Sequence, residues 1–272
     1  MIIAEALNPR EPFSIERRRL LEHLTQRNYA YLIAHSNESL SASQEQLFNT
    51  YLTRLKGGEP LAYILGEQEF YGLSFKVNPQ VLIPRPDTEL LVDHALSLIQ
   101  TLNHPQVIDL GTGSGAIAIT LTKHCPALTM TATDVSPAAL SLAQHNAKLI
   151  LKDKSSSVIW LQSNWFEQVT GLFDVIVSNP PYIAPGDPHL HGDGLPFEPQ
   201  LALTADNQGT QALASIIKDS PRYLKRPGYL FLEHGYDQAA FVAQALEQEG
   251  FTEIKLHLDF NHHPRLTQGT LR

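Results

Sequence analysis

Residues 107–119 read VIDLGTGSGAIAI and residues 173–182 read FDVIVSNPPY, and these two stretches decide the fold. Each is an apolar run that ends in residues typical of a tight turn. In the first, Gly111, Gly113 and Gly115 let the backbone turn sharply and approach a ligand, and the following helix pattern offers unpaired N–H groups. We interpret this stretch as a loop that binds a nucleoside cofactor, with a plain βα turn as the alternative.

Thr112 and Ser114 complete this loop, whose G-x-G-x-G spacing differs from the G-x-G-x-x-G of dinucleotide enzymes. Asp134 ends the next apolar run along the chain. An acidic residue in that place commonly accepts hydrogen bonds from ribose hydroxyls. We therefore favour a ribose contact for Asp134 over its alternative, a cap of the helix that begins near Pro137.

The Asn-Pro-Pro-Tyr end of the second stretch is suited to bind a planar NH₂ group. Pro180 and Pro181 remove two N–H donors and fix two φ angles, which leaves a rigid backbone rich in acceptors. The side-chain oxygen of Asn179 and the carbonyl of Pro180 can accept both hydrogens, while Tyr182 packs against the flat face of the group. Asn179 is therefore the predicted catalytic residue, and a structural turn with a core tyrosine is the alternative.

Around these stretches, short apolar runs alternate with helical patterns. This predicts an α/β fold with a mainly parallel sheet covered by helices on both faces. The predicted strands are 106–110, 129–134, 158–162, 173–178, 228–233 and 253–259. The predicted helices are 116–124, 137–149, 208–224 and 237–249. Ligands of open α/β sheets bind outside the carboxyl ends of strands, which is where the glycine loop, Asp134 and Asn179 fall.

The first part of the chain has an all-helical pattern instead. Apolar residues recur at helical spacing over 14–56, where Ser41 with Gln44 predicts a capping box. Arg17-Arg18-Arg19 is interpreted as a solvated helix face. A β-hairpin is expected around Tyr71-Gly72. The predicted division is a helical docking domain at 1–60, a hairpin linker at 61–83 and a catalytic domain at 84–272.

Charge and composition narrow the class of protein. The 272-residue chain has a formal net charge of −8, and residues 1–60 hold equal numbers of basic and acidic side chains, so the acidic excess lies in 61–272. That sign disfavours stable binding to nucleic acid. Cys125 is the only cysteine, and no apolar segment reaches the roughly 20 residues that span a bilayer. The first residues lack the charged, apolar and small-residue pattern of a secretory signal, so we expect none. We expect a soluble cytoplasmic protein without membrane attachment.

The motifs VIDLGTGSGAIAI and VSNPPYI together resemble the class I S-adenosylmethionine-dependent methyltransferases that modify exocyclic or amide nitrogens. With GEPLAYILGEQEFYGLSFKVNPQVLIPRPDTELLV at 58–92 and DPHLHGDGLPFEPQLAL at 187–203, nearly the whole chain is similar to the HemK/PrmC family of release factor glutamine methyltransferases. The resemblance implies a Rossmann-like domain with a mainly parallel seven-stranded sheet, preceded by a small helical bundle and a β-hairpin.

The resemblance also implies roles for single residues. Gly111 to Gly115 would line the methionine part of S-adenosylmethionine, Asp134 would hold its ribose and Trp165 would flank its adenine. Asn179 to Tyr182 would hold the substrate glutamine, with Asn179 also bordering the cofactor. The implied substrate is the glutamine of the Gly-Gly-Gln loop in class I peptide release factors, and S-adenosylhomocysteine is the second product. Asn164 and Asn261 stand where the family usually has Asp and Gly.

Two other substrates stay open as alternatives. Ribosomal-protein glutamine methyltransferases usually have an IPRSP-like stretch where this chain has Arg85-Pro86-Asp87-Thr88-Glu89, which favours the release-factor branch. An N6-adenine DNA methyltransferase shares NPPY, but it should show a basic groove.

A short acidic and histidine-containing run lies between the NPPY motif and the last third of the chain. Its members Asp187, His189, His191 and Asp193 could mimic metal ligands. Methyl transfer from a sulfonium needs no metal, so we predict no metal site and interpret 185–198 as a mobile substrate loop.

Overall fold

The computed structural model describes residues 1–192 and 194–272, and of Ser156 it describes the backbone only. Its contacts divide the chain into two compact units. The helical unit comprises Met1–Gly66 with His191–Phe197, and the sheet unit comprises Glu67–Leu190 with Glu198–Arg272. Among the described residues, no helix combines the length and apolarity needed to cross a bilayer.

The helical unit is a small bundle. Its helices are α1 (Ile3–Ala6), α2 (Ser14–Thr25), α3 (Tyr29–Ala34), α4 (Ala42–Lys56) and α5 (Leu61–Leu65). Leu20, Leu32 and Phe48 are fully buried in its core. The predicted capping box of α4 is confirmed, because Gln44 N donates to Ser41 Oγ at 3.2 Å and Ser41 N donates to Gln44 Oε1 at 3.0 Å.

Arg17 corrects the prediction of a fully solvated Arg17-Arg18-Arg19 face. Its side chain is buried, and its guanidinium donates to Ala6 O at 3.2 Å and to Pro12 O at 3.1 Å. Arg17 therefore satisfies backbone carbonyls of the preceding segment instead of facing water.

The sheet unit begins with the predicted hairpin and continues as an alternating α/β fold. Its strands are β1 (Glu67–Phe70), β2 (Leu73–Lys76), β3 (Gln106–Leu110), β4 (Thr129–Asp134), β5 (Val158–Gln162), β6 (Phe173–Ser178), β7 (Leu224–Glu233), β8 (Phe251–Leu258) and β9 (Pro264–Leu271). Its helices are α6 (Glu89–Ile99), α7 (Ala116–His124), α8 (Pro137–Leu151), α9 (Gln200–Leu203), α10 (Gln211–Asp219) and α11 (Ala239–Gln248).

The main sheet has seven strands in the order β5-β4-β3-β6-β7-β9-β8. Strands β3 to β7 are parallel, and β9 runs antiparallel between β7 and β8. The predicted mainly parallel sheet is confirmed. The strand order reverses at β3, which has β4 on one side and β6 on the other, and this is the position at which such sheets bind ligands.

Both faces of the sheet are buried. Val107 packs in one apolar cluster, and its neighbours Ile108 and Leu110 contribute to the other. Successive side chains of a strand point to opposite faces, so a strand covered on both faces needs a continuous apolar run. This explains why β3 and β6 have no polar and apolar alternation.

Several element boundaries differ from the predictions. The helix expected over 208–224 covers only Gln211–Asp219, because a 3₁₀ turn that contains Pro221 follows it and β7 already begins at Leu224. Strand β8 begins at Phe251 instead of Glu253. Strand β9 was not predicted as a separate element, since its Thr and Gly residues weaken the apolar pattern.

Candidate active site

The loop that joins β3 to α7 follows the predicted glycine pattern. Gly111, Gly113 and Gly115 have φ angles of +73°, +56° and +83°. A Cβ atom on Gly115 would lie 2.7 Å from Ile119 Cδ1 and 3.1 Å from Ala143 Cβ. Gly115 therefore permits both a left-handed backbone and the close approach of α7 to α8.

Asp134, the last residue of β4, holds this loop in position. Its Oδ2 accepts a hydrogen bond from Gly113 N and its Oδ1 accepts one from Ser136 N, both at 2.9 Å. The cap of α8 is Ser136, whose Oγ accepts from Ala139 N at 3.2 Å, so the capping alternative for Asp134 is wrong. Burial raises the pKa of Asp134, and the backbone N–H donors oppose that rise.

Asp109 is a second carboxyl group at this loop, and it was not among the predicted site residues. It is fully buried in β3, and Thr112 Oγ1 donates to its Oδ2 at 2.7 Å. Burial raises the pKa of Asp109 to about 7, while the Thr112 hydrogen bond favours the ionised form. The available signal was an acidic residue inside an apolar strand, directly before a glycine loop.

Segments that follow β3, β4, β5 and β6 line a cavity of about 530 Å³. Its wall includes the predicted residues Gly111, Thr112, Gly113, Ser114, Asp134, Trp165, Asn179 and Pro181. The predicted residues Gly115, Pro180 and Tyr182, all of which the structure describes, do not line this cavity. Its volume falls in the range of small-molecule sites, roughly 300–1,000 Å³.

Trp165 follows β5 and lies against the glycine loop. A Cβ atom on Gly111 would lie 3.4 Å from the indole Cζ3, so the ring and the loop backbone are close neighbours. Ser163 Oγ fixes this turn by donating to Trp165 O at 2.9 Å. Asn164 also lines the cavity, and its Nδ2 donates to Glu167 Oε1 at 2.8 Å, which leaves the amide oxygen as the group that can accept from a ligand.

Asn179 stands at the end of β6, and its amide has a defined orientation. Its Nδ2 donates to Thr88 Oγ1 at 3.1 Å, so Oδ1 is the atom that remains to accept a hydrogen bond at the cavity. Ser178 Oγ donates to Leu110 O at 2.7 Å and joins the end of β6 to the end of β3. The amide oxygen is thus an acceptor for an NH₂ group, whose binding here stays a prediction, and the orienting partner Thr88 was not foreseen.

Thr88 belongs to a segment that a buried ion pair positions. The carboxylate of Glu198 has no solvent exposure; it accepts from Ile83 N at 3.0 Å and forms an ion pair with Arg85. Thr88 precedes α6 and makes no side-chain cap there. Its buried hydroxyl is therefore available to Asn179.

The backbone of Tyr182 is enclosed by residues that sequence reasoning also missed. Gln238 Nε2 donates to Tyr182 O at 2.9 Å, and Gln238 Oε1 accepts from Gly235 N at 2.9 Å. A Cβ atom on Gly209 would lie 2.1 Å from Tyr182 O, so a side chain at position 209 would displace this peptide. The segments that precede α10 and α11 thus hold the NPPY motif in place.

Glu233, the last residue of β7, is the buried acidic partner of this motif. Its Oε1 accepts from Tyr182 Oη at 3.4 Å. Burial raises the pKa of Glu233 to about 7, whereas Thr88 and Arg265 favour its ionised form. Burial and the Glu233 charge also raise the pKa of Tyr182, so its hydroxyl stays protonated. The signal in the sequence was an acidic residue at the end of an apolar strand.

The acidic and histidine-containing run that follows the NPPY motif forms no metal site among the residues described. No group of three or more His, Cys, Asp and Glu side chains is placed to bind an ion there. Asp187 instead accepts from His189 N at 2.9 Å and contacts His189 Nδ1 at 2.7 Å. Of the four residues considered, Asp193 lies outside the described part of the chain.

Two family models match the chain. The "Methyltransferase small domain" matches residues 86–191, and the "PrmC N-terminal domain" matches residues 4–66. A release factor glutamine methyltransferase of Bordetella pertussis is 42% identical over 259 residues, which cover 94% of each chain. The chain belongs to the release factor glutamine methyltransferase family. The relative from Escherichia coli K12 with the same name is 41% identical over 92% of this chain and 89% of its own length.

Solved structures agree with the fold of the family. A ribosomal protein L11 methylase from Lactobacillus delbrueckii subsp. bulgaricus superposes with a TM-score of 0.54 at 22% identity, over 72% of this chain and 84% of its own. A methyltransferase from Pyrococcus furiosus gives 0.53 at 16% identity, over 82% and 98%. At 22% and 16% identity these similarities are evidence for the fold alone. They confirm the class I methyltransferase architecture expected for the family.

Proposed function

We propose that this chain transfers a methyl group from S-adenosylmethionine to the side-chain amide nitrogen, N5, of the glutamine in the Gly-Gly-Gln motif of class I peptide release factors. The observation that carries the proposal is the orientation of Asn179. Its amide oxygen is left to accept at a cavity that also contains the glycine loop and Asp134. The chain is about 40% identical to release factor glutamine methyltransferases over nearly its full length, and this family membership supports the same reaction.

The residues around the cavity fit S-adenosylmethionine. When bound, this cofactor supplies an electrophilic methyl group on a sulfonium. The backbone of Gly111 to Ser114 lines the cavity where the methionine part would lie, and the Asp134 carboxylate can accept from ribose hydroxyls. Trp165 offers an aromatic face to adenine, and the amide oxygen of Asn164 can accept from its N6 amino group.

The substrate amide must be oriented, because its lone pair is delocalised into the carbonyl and the nitrogen is a poor nucleophile. Asn179 Oδ1 and Pro180 O would accept its two hydrogens, and Tyr182 would pack against its face. Positioning the nitrogen for in-line attack then contributes more to the rate of methyl transfer than a strong base would. The methylated nitrogen carries one surplus proton, which is acidic enough to leave to water.

The protein substrate requires contacts outside the cavity, and we propose the helical domain at 1–60 for that role. Residues 61–83 would be the hairpin linker, and 84–272 the catalytic domain. The helical unit exposes Ile15, Tyr29 and Ile33, and the Arg18 guanidinium lies 5.1 Å from the Tyr29 ring centroid. Such a mixture of apolar, aromatic and arginine side chains is typical of protein interfaces. The enzyme would act in the cytoplasm, where release factors work.

The test is methyl transfer from radiolabelled S-adenosylmethionine, with a class I release factor, ribosomal proteins and duplex DNA offered in parallel. We expect label in the release factor alone, at the glutamine of the Gly-Gly-Gln motif. Label in the ribosomal proteins or in DNA, with none in the release factor, would overturn the proposal in favour of the corresponding alternative.

A further inference from the structure

Aromatic side chains are exposed where β8 turns into β9. Phe260 is 99% exposed in this turn, and Tyr236, which follows β7, is 56% exposed. The His263 ring centroid lies 5.9 Å from that of Tyr236 and connects the two places. We call Tyr236, Phe260 and His263 the turn surface.

The backbone of this turn is fixed, so the exposure of Phe260 is built into it. The Asp259 carboxylate is buried, and its Oδ1 accepts from Asn261 N at 2.8 Å and from His263 N at 2.9 Å. His262 takes the left-handed conformation at φ +62°. A phenyl ring left in water forgoes the free energy that apolar burial supplies, so contact with an apolar surface of another protein would stabilise it.

The turn surface is connected to the predicted substrate site. Arg265 Nε lies 3.3 Å from Asp259 Oδ2 and 3.3 Å from Asp87 Oδ2. Asp87 precedes Thr88, whose hydroxyl accepts from Asn179. Strand β9 is antiparallel to β7 with Leu266 opposite Glu233, so the turn stands at the carboxyl end of β7, the edge of the sheet that carries the NPPY motif.

We propose that the turn surface is a docking contact for the folded protein substrate, and that it binds an apolar patch next to the loop that carries the target glutamine. This inference rests on the proposed function. A glutamine that enters the site belongs to a protein larger than the cavity, so the surface beside the site must face that protein. Arg265, which follows this turn in β9, is engaged by two carboxylates, which disfavours a polyanion as the occupant.

The experiment measures kcat and KM for an intact class I release factor with the full chain and its Phe260→Ala variant. The matched control is Leu172→Ala, which removes a side chain of 50% exposure directly before β6, at the opposite edge of the sheet. Truncation of an anchor in an interface predicts that Phe260→Ala raises KM on the order of tenfold. We expect kcat and S-adenosylmethionine affinity within about twofold of wild type, and Phe260→Tyr to restore KM.

The outcomes separate this inference from the proposed function. An unchanged KM in Phe260→Ala, beside an active wild type, overturns the docking contact and leaves the proposed function intact. A fall in kcat with unchanged KM also overturns it, because the turn would then serve the site and not the partner. A wild type that does not methylate the release factor overturns the proposed function itself.

Discussion

The two halves of the candidate site are assembled in different ways. The cofactor half depends on the glycine loop and Asp134, whose contact with Gly113 joins residues 21 positions apart in consecutive βα segments. The substrate half depends on Asn179 and Tyr182, whose partners Thr88 and Glu233 lie 91 and 51 positions away. A sequence motif can therefore indicate the cofactor half, but the substrate half forms only when the whole sheet unit has folded.

The difference predicts separable effects of mutation. Changes in the substrate half should alter turnover and leave cofactor affinity nearly unchanged. Changes in the cofactor half should alter the stability of the loop and, with it, cofactor affinity.

Asn179→Ala should have the largest effect, because it removes the acceptor that orients the substrate nitrogen. We expect kcat for a release factor to fall on the order of tenfold to a thousandfold. S-adenosylmethionine affinity, measured by calorimetry, should weaken much less. If turnover stays at the wild-type level, the proposed orientation of the amide is wrong.

Glu233→Gln should change the pH dependence of stability. The pKa of Glu233 is raised to about 7 in the folded protein, so between about pH 4.5 and 7 the unfolded carboxyl has released a proton that the folded one still holds. Stability therefore falls as pH rises through this window, by up to about 3 kcal/mol from this group. Glutamine has no proton to release, so the variant should lose less stability than wild type between pH 5 and pH 8.

Urea unfolding of both proteins at the two pH values measures this effect. Asp109, whose pKa is also raised to about 7, is present in both proteins and cancels in the difference. Parallel pH profiles for wild type and Glu233→Gln would mean that Glu233 is not buried as described.

Gly115→Ala should weaken the cofactor half. The new Cβ would lie 2.7 Å from Ile119 Cδ1 in a backbone of φ +83°, so strain and overpacking should cost about 2 kcal/mol of unfolding free energy. Gly113→Ala is the matched variant, because its Cβ meets nothing within 4 Å and only the left-handed backbone, at about 1 kcal/mol, opposes it. Equal losses in urea denaturation would contradict the close packing of α7 against α8.

Thr88→Val should have the smallest effect of the four. Valine keeps the shape of the buried side chain but cannot accept from Asn179 Nδ2, so the amide loses its fixed orientation. We expect kcat to fall on the order of tenfold, about 1.4 kcal/mol, with cofactor affinity unchanged. Thr88→Ser retains the hydroxyl and should remain close to wild type; a loss of equal size in Thr88→Ser would point to packing instead of the hydrogen bond.

The features that could be predicted from the sequence depend on residues that lie close together along the chain. The parallel strands follow from continuous apolar runs, the capping box of α4 from Ser41 and Gln44, and the loop geometry from the glycines. The cavity collects eight of the predicted residues because parallel strands end at one edge.

The parts that were missed depend on contacts between distant segments. Thr88 resembled a residue that begins a helix, and only the fold brings it to Asn179. Glu233 resembled the polar end of a strand, yet it is buried beside Tyr182. Arg17 resembled a surface residue, but carbonyls of Ala6 and Pro12 accept from it. No local pattern contains these partners, so each required the tertiary structure.

A double-mutant cycle between Thr88 and Asn179 shows whether Thr88 orients the catalytic amide. The kcat for methylation of a release factor is measured for wild type, Thr88→Val, Asn179→Ala and the double variant. If Thr88 acts by orienting Asn179, the double variant should be no slower than Asn179→Ala alone. Losses that add in the double variant would show that Thr88 acts independently of Asn179, and would contradict the account.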